Sequence, residues 1–185
     1  MNPLLLNVPA QITTKRLLLR PVTASDAAMM NDAIQQSFAE LCPWMPWAGT
    51  RPTLESTRDF CAQAEVDFAV RREFPMLMLR REDGLFLGGA GLVRGDWTVP
   101  KFEVGYWIRT TERGHGYVAE AVDALVRFAR RHLKIRRLEV RTDSRNTRSA
   151  NVAKRAGFKL EGKLRYDGRD NRNRLRDTLL FARTF

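Results

Sequence analysis

The sequence predicts one mixed α/β (α+β) domain, with a central sheet of about six or seven strands flanked by about four helices. Three observations lead there. With 185 residues, 44% of them hydrophobic and 29% charged, the chain is long enough to bury one core and has the composition of a folded domain. Apolar spacing alternates along it between period two and period 3.6, so strands and helices interleave. No repeat, low-complexity tract or linker divides the chain, so a single domain is expected over residues 1–185.

Leu17-Leu18-Leu19, between Arg16 and Arg20, opens the first strand, and Pro21 ends it. Thr23 to Asp26 offers a cap for a helix over residues 27 to about 40. Pro43-Trp44-Met45-Pro46-Trp47 then interrupts. Two prolines suit neither a helix interior nor a central strand, so this is a stiff apolar loop. A second helix, about residues 54–72, follows Thr53 and stops before Pro75. Residues 76–80 and 85–93 flank the turn Glu82-Asp83-Gly84 as a hairpin, and residues 102–108 extend the sheet. Val118, Ala121, Val122, Leu125 and Ala129 recur at three- and four-residue spacing, which gives the next helix one apolar face. Leu138, Val140 and Thr142 alternate with Glu139 and Arg141 as a further strand. A short helix over about 148–156 ends at Gly157, and residues 158–164 and 178–183 close the domain as a hairpin around Asp167-Gly168-Arg169-Asp170-Asn171.

Composition narrows the chemistry. Met1-Asn2-Pro3-Leu4-Leu5-Leu6 has no basic leader and too short an apolar run for a signal peptide, and no later run approaches the roughly 20 apolar residues of a membrane span. A cytoplasmic location without membrane contact is expected. Cys42 and Cys61 lack metal-ligand spacing, and His115 and His132 are the two histidines. Neither a metal site nor Ser-His-Asp chemistry is therefore expected, and both thiols are expected reduced and packed. The formal net charge of +11 is uneven: residues 127–185 hold 19 Lys and Arg against 6 Asp and Glu, while residues 1–126 hold 13 against 15. That asymmetry suggests an anionic ligand or partner near the C-terminal third, whether a phosphorylated cofactor, an acidic protein or nucleic acid. Nucleic acid contact is not the favoured choice, because the Arg-rich tail lacks aromatics interleaved for RNA.

The loop Arg113-Gly114-His115-Gly116-Tyr117 lies between a strand and an amphipathic helix. Its glycines free backbone N–H groups to face an anion, and the helix adds the positive end of its dipole. No Lys-Ser or Lys-Thr follows, so it is not a nucleoside-triphosphate loop, and it lacks the three-glycine spacing of a dinucleotide fold. A pyrophosphate on another carrier fits better, against the plainer reading of an ordinary strand-to-helix turn.

Taken in order, these pieces resemble the GNAT superfamily of N-acetyltransferases, and within it the RimJ/RimL type that acetylates N-terminal amines of ribosomal proteins. The resemblance covers nearly the whole chain. It is carried by Thr14-Lys15-Arg16-Leu17-Leu18-Leu19-Arg20-Pro21, by Pro43-Trp44-Met45-Pro46-Trp47 and by Glu103-Val104-Gly105-Tyr106-Trp107-Ile108. The most specific blocks are Gly114-His115-Gly116-Tyr117-Val118-Ala119-Glu120-Ala121 and the run from Asn146 to Phe158. The resemblance implies acetyl-CoA as co-substrate, its pyrophosphate on the glycine loop, and a sheet splayed between the strands ending at Ile108 and Asp143 to admit the pantetheine arm. It places Trp107, Ile108, Arg109, Arg113, Gly114, His115, Gly116, Tyr117, Val118, Asn146 and Arg155 at the cofactor, and Trp44, Trp47 and Tyr106 at the acceptor. Two departures stand out. Thr111 replaces the usual Gln or Arg at the start of the glycine motif, and Ala153 stands where many members carry a Tyr that protonates the departing thiolate. In the RimL-like subgroup a Ser at the position of Ser149 is the proposed donor.

Acetyl transfer needs a neutral amine, a donor for the thioester oxygen and a proton for the leaving sulfur. Glu103 is the candidate base, or else a sheet-surface carboxylate paired to an Arg. Ser149 is the candidate proton donor, or else a helix cap. Asn146 bonds pantetheine amides or shapes a turn, and Trp44 and Trp47 wall the acceptor pocket or pack in the core. Backbone N–H groups around Trp107 and Ile108 are candidates to polarise the thioester, and Arg113, Arg148, Lys154 and Arg155 to meet phosphates. The expected reaction is transfer to an amine acceptor, first among them the N-terminus of an acidic protein. A small-molecule amine or antibiotic, or a non-catalytic role binding coenzyme A or RNA, is the alternative, and a homodimer is compatible with the resemblance.

Overall fold

In the computed structural model, residues 2–185 are described, and Met1, the first residue of the expected domain span and of the N-terminal run read through Leu6, lies outside them. The strands are β1 (Ile12–Thr13), β2 (Leu17–Pro21), β3 (Phe74–Arg80), β4 (Phe86–Asp96), β5 (Lys101–Tyr106), β6 (Arg137–Asp143), β7 (Lys159–Arg169) and β8 (Leu175–Thr184). They form one eight-stranded sheet in the order β1-β2-β3-β4-β5-β6-β8-β7. All neighbours are antiparallel except β5 and β6, which run parallel. That single parallel pair requires a crossover, and α3 (Tyr117–His132) supplies it.

Strand alternation sends Met76 and Met78 to one face of the sheet and Leu77 to the other. The first face packs against α3 and α4 (Thr147–Arg155), the second against α1 (Ala27–Leu41) and α2 (Leu54–Ala69). On α3 the buried stripe includes Ala121, Val122, Leu125, Phe128 and Ala129, as the spacing predicts. Leu125 is fully buried, and truncating it to Ala would cost about 2–5 kcal/mol. Asp26 starts α1: it accepts a fork from Arg20 at 2.6 and 2.8 Å and a bond from the Thr23 N–H at 2.8 Å. Burial of its carboxyl is outweighed by these bonds, which hold it below the usual carboxylate range.

Several boundaries depart from expectation. The extra strand, β1, is two residues long, too short for any periodicity. β3 includes Pro75 because the Pro75 carbonyl, accepting from Val22 N–H at 3.3 Å, points toward β2 just where β2 has ended. The missing N–H therefore interrupts no ladder bond. α2 stops at Ala69 rather than residue 72, and Arg71 takes the left-handed conformation. The last hairpin is longer, and its turn spans residues 170–174 instead of 167–171: Asp170 N–H donates to Arg174 O at 2.9 Å. A register shift between Leu164 and Gly168, with Tyr166 at φ 52°, masks the alternation there. No helix among the described residues is long and apolar enough to cross a membrane.

Candidate active site

β5 and β6 pair at Lys101↔Arg137, Phe102↔Leu138 and Glu103↔Glu139, and no further. Beyond that point each follows its other neighbour, β5 to Ala90↔Tyr106 and β6 to Asp143↔Thr178. The sheet therefore splits. A cavity of about 740 Å³ opens at the split, lined by Glu103, Tyr106, Trp107, Asn146, Ser149 and the tryptophan loop. Trp107 and Ile108 leave the strand, although sequence alternation carries it to residue 108. Gly88 and Gly89 make this path fit: a Cβ on Gly88 would lie 2.2 Å from Trp107 O, and one on Gly89 2.7 Å from the Trp107 ring nitrogen.

The Trp107 N–H donates to Gly89 O at 2.8 Å and the Arg109 N–H to Leu87 O at 2.7 Å. Trp107 is thus not available to polarise a carbonyl, which corrects that expectation. The intervening Ile108 N–H faces the other way and meets no acceptor among the described residues. A ligand carbonyl in the split fits this unpaired donor.

In the glycine loop, Gly114 (φ 87°) and Gly116 (φ 80°) both adopt the left-handed conformation that favours glycine. No side chain caps α3, and no backbone N–H from Gly114 to Ala119 meets a protein acceptor among the described residues. These amides at a helix N-terminus fit a pyrophosphate. Arg16 braces the loop from behind: it donates to His115 O at 2.8 Å, pairs with Glu120 at 2.7 Å and lies 4.7 Å over the buried Tyr117 ring. His115 tilts over the same ring, and Val118 packs against the core.

The cationic candidates divide. Arg155 is exposed on the last turn of α4 without an ion-pair partner among the described residues. Arg113 pairs with Glu40 at 2.5 Å, and Arg148 reaches the same carboxylate at 3.8 Å. Arg109 donates to Phe86 O and Gln36 Oε1, each at 2.7 Å, and its guanidinium ties α1 to β4 rather than facing the loop. All six acidic side chains of residues 127–185 are ion-paired, and beyond Arg127 with Asp123 and Arg148 with Glu40 the cation surplus there has no carboxylate partner among the described residues.

At the centre of the split, the Tyr106 hydroxyl lies 2.9 Å from Ser149 Oγ. Asn146, not Ser149, caps α4: its Oδ1 accepts from Ser149 N–H at 3.1 Å. The Asn146 Nδ2 has no acceptor among the described residues and remains for a ligand carbonyl. Glu103 pairs with Arg94 at 2.7 Å, as its plainer reading anticipates, yet it also lines the cavity. Burial pushes its carboxyl above the usual range, opposed by Arg94 and Arg141.

Trp47 is 44% exposed and meets Trp107 edge to face at 6.1 Å; Trp44 is half-buried, and both line the cavity. Their loop is held by Asn171, whose Nδ2 donates to Cys42 O at 2.6 Å and Met45 O at 2.9 Å. Asn171 was legible only as a turn residue, since nothing local links it to residues 42–45. Phe60, Arg141, Asp167 and Arg176 also line the cavity, likewise without a local signal.

The model of the acetyltransferase (GNAT) domain family matches residues 16–159. The ribosomal-protein-serine acetyltransferase of Escherichia coli (strain K12) is 32% identical over 111 residues, 60% of this chain and 61% of the relative. Among solved structures, RimJ of Mycobacterium smegmatis in complex with CoA-disulfide has TM-score 0.88 and 25% identity, covering 100% of this chain and 90% of that one. RimL, a ribosomal L7/L12 alpha-N-protein acetyltransferase in complex with coenzyme A, has TM-score 0.89 and 21% identity over 95% of this chain and 98% of that one.

Proposed function

The chain belongs to the GNAT acetyltransferase family, and from that premise we propose that it transfers acetyl to the α-amine of a protein N-terminus. Acetyl-CoA-dependent N-acetylation is its activity; the acceptor and the residue roles are the proposal. The observation that carries it is the cavity at the β5/β6 split, which brings Glu103, Ser149 and an aromatic wall together in a chain whose α3 N-terminus has no side-chain cap.

The co-substrate supplies an activated acetyl thioester. The amides of residues 114–119 hold its pyrophosphate, Asn146 Nδ2 bonds the pantetheine arm, and the Ile108 N–H donates to the thioester oxygen. Glu103 takes the amine proton, directly or through water, and Ser149 donates to the sulfur. An α-amine, with a pKa of about 7.7–8.0, is partly neutral at cellular pH, whereas a lysine near 10.4 is not, so a modest base suffices for an N-terminus. The uncompensated cations of the C-terminal third favour an acidic acceptor protein, and the cytoplasm is the setting where such an acceptor and acetyl-CoA meet. The relatives named for ribosomal proteins support the same acceptor class.

Free-thiol release from acetyl-CoA, measured across N-terminal peptides, lysine peptides and small amines, tests this reading. Fastest turnover with a free N-terminus supports it. Preference for a small polyamine redirects it to small molecules, and salt-dependent RNA affinity without turnover redirects it to binding.

A further inference from the structure

We propose that Tyr106 is a positioning residue for the leaving group, its phenol orienting the Ser149 hydroxyl and replacing the proton that Ser149 gives to the departing sulfur. This rests on the acetyl-transfer reading above and assigns Tyr106 a role other than a wall for the acceptor.

The hydrogen-bond inventory around Ser149 leads there. The Tyr106 hydroxyl lies 2.9 Å from Ser149 Oγ and 3.2 Å from Ser149 O. Inside α4 that carbonyl is the acceptor for the N–H four residues on, at Ala153, so Oγ is the better acceptor for the phenol. Capping is already done by Asn146, which leaves the Ser149 O–H free to turn into the cavity. Ala153, one turn further along α4, is fully buried and has no proton to give. Tyr106 reaches the same helix from the sheet, at the last β5 residue paired to β4 before the chain leaves the strand.

Acidity points the same way. A thiol titrates near 8.5 and a phenol near 10, whereas an aliphatic hydroxyl is a far weaker acid, so a phenol behind the serine matches the leaving thiolate better. Burial raises the Tyr106 phenol, which opposes this match, so the phenol keeps its proton at neutral pH and gives it up only in concert with transfer from Ser149 to sulfur. The step balances without a co-reactant. The amine nitrogen bonds to the acetyl carbon and the C–S bond breaks with its electron pair on sulfur. Sulfur takes the Ser149 proton, and Ser149 takes the Tyr106 proton. Glu103 takes the proton shed by the amine and passes it back to the phenolate through cavity water.

Tyr106→Phe keeps the ring and removes the hydroxyl. We expect kcat with acetyl-CoA and an N-terminal peptide to fall about ten- to a hundredfold, with KM for both substrates changed less than about twofold. The double variant with Ser149→Ala should be no slower than Ser149→Ala alone. With 4-nitrophenyl thioacetate as donor, whose thiolate leaves unprotonated, the Tyr106→Phe defect should vanish. A readout without turnover is the thiol of bound coenzyme A, titrated by thiolate absorbance: losing the relay should move its pKa upward by about half a unit or more. Wild-type turnover of acetyl-CoA is the control that carries the enzyme's function by itself. In a wild type that turns over, full kcat in Tyr106→Phe, a change in acceptor KM alone, additive losses in the double variant, an equal defect with both donors or an unmoved thiol pKa overturns the relay and leaves the function standing.

Discussion

Tyr106 of β5 and Ser149 of α4, 43 positions apart in the chain, meet hydroxyl to hydroxyl at 2.9 Å at the split between β5 and β6. The contact puts a proton-bearing pair in the cavity at the split of the sheet. It also separates Ser149 from the capping role that its position near a helix start suggests, because Asn146 fills that role.

Ser149→Ala is therefore expected to lower kcat by about ten- to a hundredfold while leaving coenzyme A affinity within about twofold. Stopped thiol release for the first and calorimetry for the second separate the two effects. Unchanged turnover removes Ser149 from the mechanism.

In the proposed reaction Glu103 acts as the base in its carboxylate form, and burial raises its pKa. Activity should thus be lost, as pH falls, at a higher pH than for an ordinary carboxylate near 4.3. Removing the opposing guanidinium with Arg94→Ala should move that acid limb of kcat/KM further up, and Glu103→Gln should abolish the limb and slow turnover. A pH–rate profile of the three proteins checks this; an acid limb that survives in Glu103→Gln belongs to another group.

Gly116 sits at φ 80°, a conformation that costs a β-branched residue about 1–3 kcal/mol. Gly116→Val should lower coenzyme A affinity at least about tenfold, since the added side chain also crowds the amides at the start of α3. Calorimetric titration with coenzyme A measures it, and wild-type affinity in the variant would take the loop out of the phosphate site.

Trp47→Ala and Trp44→Ala should raise acceptor KM by about tenfold without changing coenzyme A affinity, as expected of aromatic walls in a binding cavity. Asn171→Ala should give a weaker version of the same effect by releasing Cys42 O and Met45 O. Steady-state kinetics with acceptor varied reads both, and a pure stability loss with unchanged KM assigns the tryptophans to packing.

What the sequence made legible was what neighbours in sequence decide. The α3 stripe and the glycine loop are written in consecutive spacing, and the structure has both. The split between β5 and β6 was anticipated from the resemblance, not from periodicity. Features set by distant contacts were not legible. The resemblance places Arg109 at the cofactor, and nothing local reveals that its guanidinium is held by Phe86 and Gln36. Trp107 reads as a polarising amide but is spent on Gly89, because the glycines of β4 let the chain come close. The full length of the β7–β8 hairpin is hidden in the sequence because a left-handed Tyr166 breaks its alternation.

Transfer of acetyl from acetyl-CoA to a protein α-amine is read by fragment mass spectrometry of an acidic peptide carrying both a free N-terminus and an internal lysine, after incubation with the protein and acetyl-CoA at neutral pH. One acetyl group is expected, on the α-amine. Acetylation of the lysine instead, or an unmodified peptide, would contradict it.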